Sequence, residues 1–380
     1  MAVVMLKNEQ VATLCNESIK NTLGEDATIL SEDLSNFDIF GTSLANANVY
    51  TNFLENLMIA TAKYIFRFRA YDSKAPRVLR DTQEFGRLIQ KIRSKLPKLS
   101  DNQSYQLTDG ASYDDNVFIA NEVEVKIFKE RVVFEVRKSI TNDQIKDAFT
   151  SVEQLNNFVS MQFGLVRNRL TLALDDLIYM TLSVYMGMIL KSVHQVKLLT
   201  NYKANVPGAD MTLTSDNCLF DKAFLTYASS ELKDGIKLMQ RYSTQFNEEN
   251  FETFTPEDLL HVVLLSKFKD NMEMYAESST FHNDFIKLPY GEETVFWQGL
   301  GNKSIKDRST IDITLPDGTA IKQSYIVAFM FDHDALGVNY DNPSVETKYV
   351  RSGQFTNYWF KEVLGYFADM SENAVVYTLE

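Results

Sequence analysis

The chain has 380 residues, 45% hydrophobic and 23% charged, enough for two or three domains with real cores and unlike disordered, collagenous or disulfide-stapled proteins. Its 38 basic and 51 acidic residues leave a formal charge of −13, which argues against nucleic-acid binding, because neutralising phosphates takes a surplus of Lys and Arg on the contact face. Cys15 and Cys218, the only cysteines, allow at most one disulfide and no Cys-rich zinc site, so a reducing cytosol is expected.

Met1 to Leu6 is apolar but shorter than a secretory signal core and lacks a preceding positive segment, so no secretion signal is expected. A polar, weakly patterned arm follows. Tyr50, Phe53, Leu54, Leu57, Met58 and Ala60 then have the spacing of an amphipathic helix. From Tyr64 the period switches to two, Phe66 and Phe68 alternating with Arg67 and Arg69 until Ala75-Pro76, which reads as an outgoing strand. Phe85, Leu88, Ile89, Ile92 and Leu96 fall at helical spacing, and the chain then turns polar. Glu122 to Val136 alternates again and reads as the returning strand of a two-stranded ribbon, an element with too little core to stand alone in water.

Charge is segregated along this region. Residues 1–62 carry a net −6, residues 63–98 a net +8 from eleven basic side chains, and residues 99–124 a net −6 with no basic side chain at all. A basic stretch between acidic ones is poised to meet acidic surface, in its own fold or on another copy of itself. The plain alternative is a solvated charged loop.

Ser151 and Gln154 make a capping-box pattern, and Val152, Leu155, Val159, Phe163, Val166, Leu170, Leu174 and Leu177 follow at spacings of three and four, so one long helix is expected to Lys191, with Gly164 and Gly187 as places to bend or stop. Its most apolar window, Leu177 to Leu190, is shorter than the roughly 20 residues a bilayer takes and reads as buried helix. A helix across Phe220 to Tyr242, buried strands at Leu259–Leu265, Tyr325–Phe331 and Ala374–Leu379, and a hairpin of Ile311–Leu315 with Ala320–Gln323 around Pro316-Asp317-Gly318-Thr319 complete the pass. Helices and strands mix without βαβ alternation, which predicts an α+β fold.

Chemistry-bearing patterns are sparse. Asp332-His333-Asp334 after a buried strand has the residue types of a divalent-metal site, but neighbouring side chains diverge and no spaced partner motif accompanies them, so a polar strand-end loop is the better reading. His261 reads as a satisfied core histidine, and His194 and His282 have no partner pattern. Gly299-Leu-Gly301-Asn-Lys303-Ser304 lacks the spacing of either phosphate-binding loop, and the adjacent Asp175 and Asp176 do not face each other on a helix. No catalytic residue, metal site or cofactor is assigned, and a structural role is expected.

Two stretches carry a family likeness. One runs from Val123-Glu-Val-Lys-Ile-Phe-Lys-Glu-Arg through Ile140-Thr-Asn-Asp-Gln-Ile-Lys-Asp-Ala-Phe149 to Ser151-Val-Glu-Gln-Leu-Asn-Asn-Phe-Val-Ser160. The other is Arg351-Ser-Gly-Gln-Phe-Thr-Asn-Tyr-Trp-Phe360 with Gly365-Tyr-Phe and Ser371-Glu-Asn-Ala-Val-Val-Tyr377. With the order of elements, they resemble the major capsid proteins of tailed, notably short-tailed, bacteriophages, the HK97-like fold. The resemblance implies an N-terminal arm (1–62), an extended β-hairpin loop or E-loop (63–138), a peripheral domain with the spine helix (139–195 and 326–380) and a mixed axial domain (196–325). It implies a non-enzymatic protein that self-assembles as hexamers and pentamers into an icosahedral shell in the host bacterial cytoplasm, becoming the virion capsid. A separate scaffolding protein, a portal and enclosed double-stranded DNA, held without specific binding, are the implied partners, with no membrane and no cofactor. The basic loop residues Arg67, Arg69, Lys74, Arg77, Arg80 and Arg87 are the expected inter-subunit contacts, with Asp109, Asp114, Asp115, Glu122 and Glu124 as acidic complements. An encapsulin-like compartment shell is the alternative with the same fold, and a cytosolic metal-dependent hydrolase centred on Asp332, His333 and Asp334 is the alternative of another class.

Overall fold

One long helix touches strands of two five-stranded sheets, and the sequence dictates each part by a different rule. This computed structural model describes residues 8–24, 89–97, 122–141, 152–192, 194–249, 251–277, 291–298, 304–340 and 344–380, with short pieces at 29–32, 35–36, 39, 56, 75–76, 78–80, 99, 101, 105, 109–110, 118, 120 and 144. In chain order the strands are β1 (Leu79–Arg80), β2 (Ile89–Ser94), β3 (Val123–Phe128), β4 (Arg131–Thr141), β5 (Gln195–Lys197), β6 (Leu260–Leu265), β7 (Gly291–Thr294), β8 (Ile311–Thr314), β9 (Ala320–Gln323), β10 (Ile326–Asp332), β11 (Leu336–Tyr340), β12 (Ser344–Val350), β13 (Phe355–Ala368) and β14 (Ala374–Thr378). Together with the helices they make a mixed α/β fold.

The spine helix runs unbroken from Val152 to Lys191, 40 residues, or about 60 Å at 1.5 Å per residue. Leu170, Leu174, Leu177, Ile178, Leu182, Tyr185, Met186 and Ile189 are buried along it at spacings of one, three and four. The segment Asn168–Lys191 is long and apolar enough to cross a membrane by length and composition, yet more than half of its most apolar window is buried inside the protein. Neither Gly164 nor Gly187 ends the helix. Gly187 instead lets the β8–β9 hairpin approach, since a Cβ there would meet Ile313 at 2.5 Å and Leu315 at 3.2 Å. The hairpin is also tied down by Lys191 to Asp317 at 2.5 Å.

The first sheet is built on β13. Of its 14 residues, those from Phe355, opposite Thr141, to Gly365, opposite Arg131, pair with β4 along one edge, and along the other edge the strand pairs with β12 and then β11. Alternate residues of β4, β12 and β13 face the interior, so period-two patterning marks a sheet covered on one face. The second sheet has the order β5-β14-β10-β6-β7. Every residue of β10 and β14 is buried, which is why these strands read as continuous apolar runs in the sequence. This sheet joins β10 and β14, expected with the peripheral part, to β6 and β7, expected in the axial part.

Several expectations change. The polar arm contains a helix, Asn8–Leu23, whose Ala12, Cys15 and Ile19 are buried at three-and-four spacing among polar neighbours. Ile89–Ser94 is a strand rather than a helix, because its alternation is completed by antiparallel pairing to β3, Ile92 opposite Val125. The single returning strand is two, interrupted at Lys129-Glu130, since β3 pairs with β2 while β4 joins β13. The expected helix at 50–62, Asn56 apart, and the outgoing strand from Tyr64 lie outside the described residues.

Gly235, on the helix Lys222–Met239, lies against the buried Tyr377 hydroxyl, which occupies the place a Cβ would take. Gly235→Ala is therefore expected to destabilise the fold by about 1–3 kcal/mol through overpacking, read as a lower urea midpoint. Gly235→Ala with Tyr377→Phe, which removes the obstructing hydroxyl, should recover most of the loss.

Candidate assembly interface

The β2–β3 ribbon has two chemically distinct faces. Ile89, Lys91, Arg93, Glu124, Lys126 and Phe128 alternate onto the half-buried side, whereas Gln90, Ile92, Ser94, Val123, Val125 and Ile127 alternate onto the exposed side. The charged face is thus turned toward the body of the protein and the apolar one away from it. Ile92, Val123, Val125 and Ile127 are 64%, 57%, 50% and 50% exposed.

What receives the charged face is the turn between β13 and β14, Asp369-Met-Ser-Glu-Asn373. Lys91 Nζ meets Asp369 at 2.7 Å and also pairs with Glu372, while Arg93 pairs with Glu372 and donates to the Ser371 carbonyl and hydroxyl at 3.1 Å. Lys126 reaches Asp369 at 2.8 Å and Glu249 at 2.5 Å. Arg93 also lies over the Phe251 ring, 5.1 Å from its centroid, and Phe128 packs on Phe367 with centroids 5.2 Å apart.

The turn is rigidly held. Asp369 donates its N–H to the Ala335 carbonyl at 2.6 Å, its own carbonyl accepts from the Tyr185 hydroxyl of the spine helix at 3.1 Å, and its carboxylate accepts from Ser371 N–H and Oγ. Burial by itself would raise the Asp369 carboxyl. The Lys91 charge and hydrogen bonds from Lys126, Lys91 and Ser371 overcome that and hold it down at about 2. Lys126 is correspondingly raised, its burial outweighed by hydrogen bonds to Asp369 and Glu249.

Of the expected contacts, Arg67, Arg69, Lys74, Arg77 and Arg87 lie outside the described residues, as do Asp114 and Asp115. For Arg80 only the backbone is described, in β1. Asp109 is exposed. Glu122 pairs with Lys95 at 3.1 Å, and Glu124 stands 3.8 Å from Lys126, so both meet lysines of their own ribbon. Lys91, Arg93 and Lys126 meet acids of their own fold, the first of the two possibilities that charge segregation left open. Sequence reading missed Asp369, Glu372 and Glu249. The available signal was a short acidic turn between two strongly patterned strands.

Asp332, His333 and Asp334 do not converge on a metal. Asp332 Oδ1 accepts the Asp334 N–H at 2.8 Å, His333 faces His261, and no cluster of three His, Cys, Asp or Glu able to hold a metal occurs among the described residues.

A family model described as Phi29-like phage major capsid protein matches residues 16–378. Among solved structures the chain is similar to the capsid of Staphylococcus phage Andhra, at 11% identity over 82% of this chain and 84% of that one, TM-score 0.47. It is also similar to the capsid of cyanophage P-SCSP1u, at 12% identity over 79% and 86%, TM-score 0.45. No curated protein sequence matches it.

The clamp has a defined pH window. Asp369 sits below its ordinary 3.8, at about 2, so the unfolded chain binds the extra proton first on acidification. Its stabilisation is complete above about pH 4 and is lost as pH falls toward 2. Asp369→Asn should remove that acid-dependent component and, by leaving Lys91 and Lys126 short of a carboxylate, lower stability at neutral pH by about 3 kcal/mol. Urea titrations of both proteins across this range measure the two effects.

Proposed function

This chain belongs to the Phi29-like phage major capsid proteins, structural proteins of the phage head shell, and on that premise we propose that the β2–β3 ribbon is the arm through which one subunit grips the next. As a capsid protein it assembles with copies of itself and resides in the virion. The observation that carries the proposal is the ribbon's apolar outer face. A two-stranded ribbon cannot bury such a face by itself, and Ile92, Val123, Val125 and Ile127 form one patch on its two paired strands. A second copy supplies the missing cover at no cost to the inward clamp.

In this reading the fold is HK97-like. Residues 1–62 form the N-terminal arm, 63–138 the extended loop, 139–195 and 326–380 the peripheral domain with the spine helix, and 196–325 the axial domain. The long spine helix, the ribbon and the two sheets support this order of parts. Hexamers and pentamers, a scaffolding protein, a portal, assembly in the host bacterial cytoplasm and enclosure of double-stranded DNA without specific binding belong to the same proposal. The net charge of −13 suits a container that does not grip its contents. Arg67, Arg69, Lys74, Arg77, Arg80 and Arg87 are proposed as further contacts to acidic surface of a neighbour, Asp109 being one exposed candidate partner. Each exposed pair contributes only about 0.2–1 kcal/mol, and many repeat around a closed shell.

Val125→Asp should abolish shells while leaving the far-UV spectrum and urea midpoint of the subunit within about 0.5 kcal/mol of wild type. Sedimentation velocity and negative-stain microscopy read the result, and normal particles would remove the apolar face as the contact. Reversing Arg67, Arg69, Arg77 and Arg80 to Glu should likewise leave a folded subunit that does not assemble, whereas normal shells would show that these arginines take no part.

A further inference from the structure

The ribbon is seated by its own subunit, but an edge of the first sheet is left open. Among the described residues β4 has β13 on one side and no strand on the other. It runs eleven residues, Arg131 to Thr141, five of them β-branched and none of them Pro. Its register against β13 is continuous from Gly365 opposite Arg131 to Phe355 opposite Thr141. Of the devices that blunt such an edge, β4 thus lacks Pro, a bulge and brevity, and carries only charges. Val133, Glu135, Arg137, Ser139 and Thr141 alternate onto its exposed face, where Val133 is 61% exposed. Arg137 pairs with Glu135 of its own strand, yet its side chain remains 79% exposed and has room for a second carboxylate.

We propose that β4 pairs antiparallel with β4 of a second copy about a two-fold axis at Val136, joining two five-stranded sheets into one. The charges on the strand select this pairing. Outer residues must meet outer residues if the faces of the sheet are to continue across the join, so the axis passes through a residue and not between two. Val136 is the midpoint of the strand, and with the axis there all eleven residues find an opposite number. Glu135 then lies opposite the partner's Arg137, and Arg137 opposite the partner's Glu135. On the inner face Val132 meets the partner's Ile140, and Phe134 meets the partner's Lys138, a cation against an aromatic ring. Moving the axis to Glu135 or to Arg137 sets that charge opposite its own copy and takes its counter-ion away.

The outer strand on the opposite side of β13 is a weaker candidate. β12 also has an acid and a base flanking its midpoint, Glu346 and Lys348, but it is seven residues long, and its Glu346 is already paired within the sheet with Lys361 at 2.8 Å. The β4 contact goes beyond the ribbon contact and does not rest on it, since it uses none of Ile92, Val123, Val125 and Ile127. The two differ in symmetry as well. A grip of one subunit on the next is heterologous, and by itself it closes a ring or winds a filament. Joining rings into a shell takes a further contact, and an isologous edge, the same surface on both copies, supplies one.

Disulfide capture in the unassembled full chain locates the axis. Val136→Cys puts two thiols on it, where opposed residues of an antiparallel pair stand about 4.5–5.5 Å apart at Cα, within disulfide reach. The two copies of Val133→Cys would stand about 20 Å apart, roughly six residue steps of about 3.3 Å. Cys15 and Cys218 are buried and do not compete. Under mild oxidation Val136→Cys should link into dimers about tenfold faster than Val133→Cys, or more. Charge exchange then tests the register. Glu135→Arg and Arg137→Glu should each weaken dimerisation about tenfold in sedimentation equilibrium, and an equimolar mixture of the two should dimerise as tightly as wild type, because each supplies the charge the other lacks. Equal linking of the two cysteine variants overturns the proposal, as does a mixture that dimerises no better than its components. The cysteine variants leave the charges in place, so poorly folded charge variants do not shelter it. Val136→Cys should link equally fast when combined with Val125→Asp, so failure of the edge contact and failure of the ribbon contact are read separately.

Discussion

A two-stranded ribbon has two faces and only one body to lie against. Here the face turned inward is the charged one, and this inversion of the usual pattern governs the rest of the molecule. Burying Lys91, Arg93 and Lys126 against Asp369 and Glu372 is energetically poor compared with an apolar seat, because each ion gives up water before it gains a partner. What the ionic seat offers is direction. Three cations converge on one five-residue turn with fixed hydrogen-bond geometry, so the ribbon leaves the body at one angle and in one register, whereas an apolar seat tolerates sliding.

That direction is worth having only if the socket does not move. The Asp369 turn lies between β13 and β14 and is braced from behind by the Tyr185 hydroxyl of the spine helix and from the side by Ala335. Tyr185 is itself packed edge-on to Phe329 in the fully buried β10. The path from the core to the ribbon is thus short: buried sheet, spine tyrosine, acidic turn, basic ribbon. Each link is a hydrogen bond or a ring contact between elements whose own formation follows from apolar patterning.

Those patterned elements were the legible part. β6, β10 and β14 stand out because both faces are covered and the runs are apolar but for His261, Asp332 and Thr378, and the spine helix because Leu170, Leu174 and Leu177 keep a spacing of three and four. The Pro316-Asp317-Gly318-Thr319 turn announced its hairpin, and Gly318 takes the positive φ that such a turn requires. Ile89–Ser94 was ambiguous for a physical reason. Ile89, Ile92 and Leu96 satisfy a helical period while Lys91 and Arg93 satisfy a strand's, and the deciding partner, Val123–Phe128, lies far along the chain. The clamp was invisible on the same grounds, since no local pattern tells Lys91 that Asp369 will be its neighbour. The contact of His261 with Glu292 and His333 was hidden likewise, since it forms only where β6, β7 and the β10–β11 turn converge.

Under the proposed assembly, the division of labour between the two ribbon faces lets a strongly segregated charge pattern coexist with an apolar contact surface. Charges satisfied inside the subunit are largely insulated from salt by their burial, so the ribbon's pose is set before any neighbour arrives. The outer face then needs no charge complementarity to be attractive, and its contribution per contact scales with apolar area rather than with ionic strength. In the proposed assembly, an arm aimed by ions and closed by apolar surface separates the geometry of assembly from its strength. Substitutions on the outer face can then weaken or strengthen the contact without re-aiming the ribbon, and changes at the acidic turn re-aim it without altering what it touches.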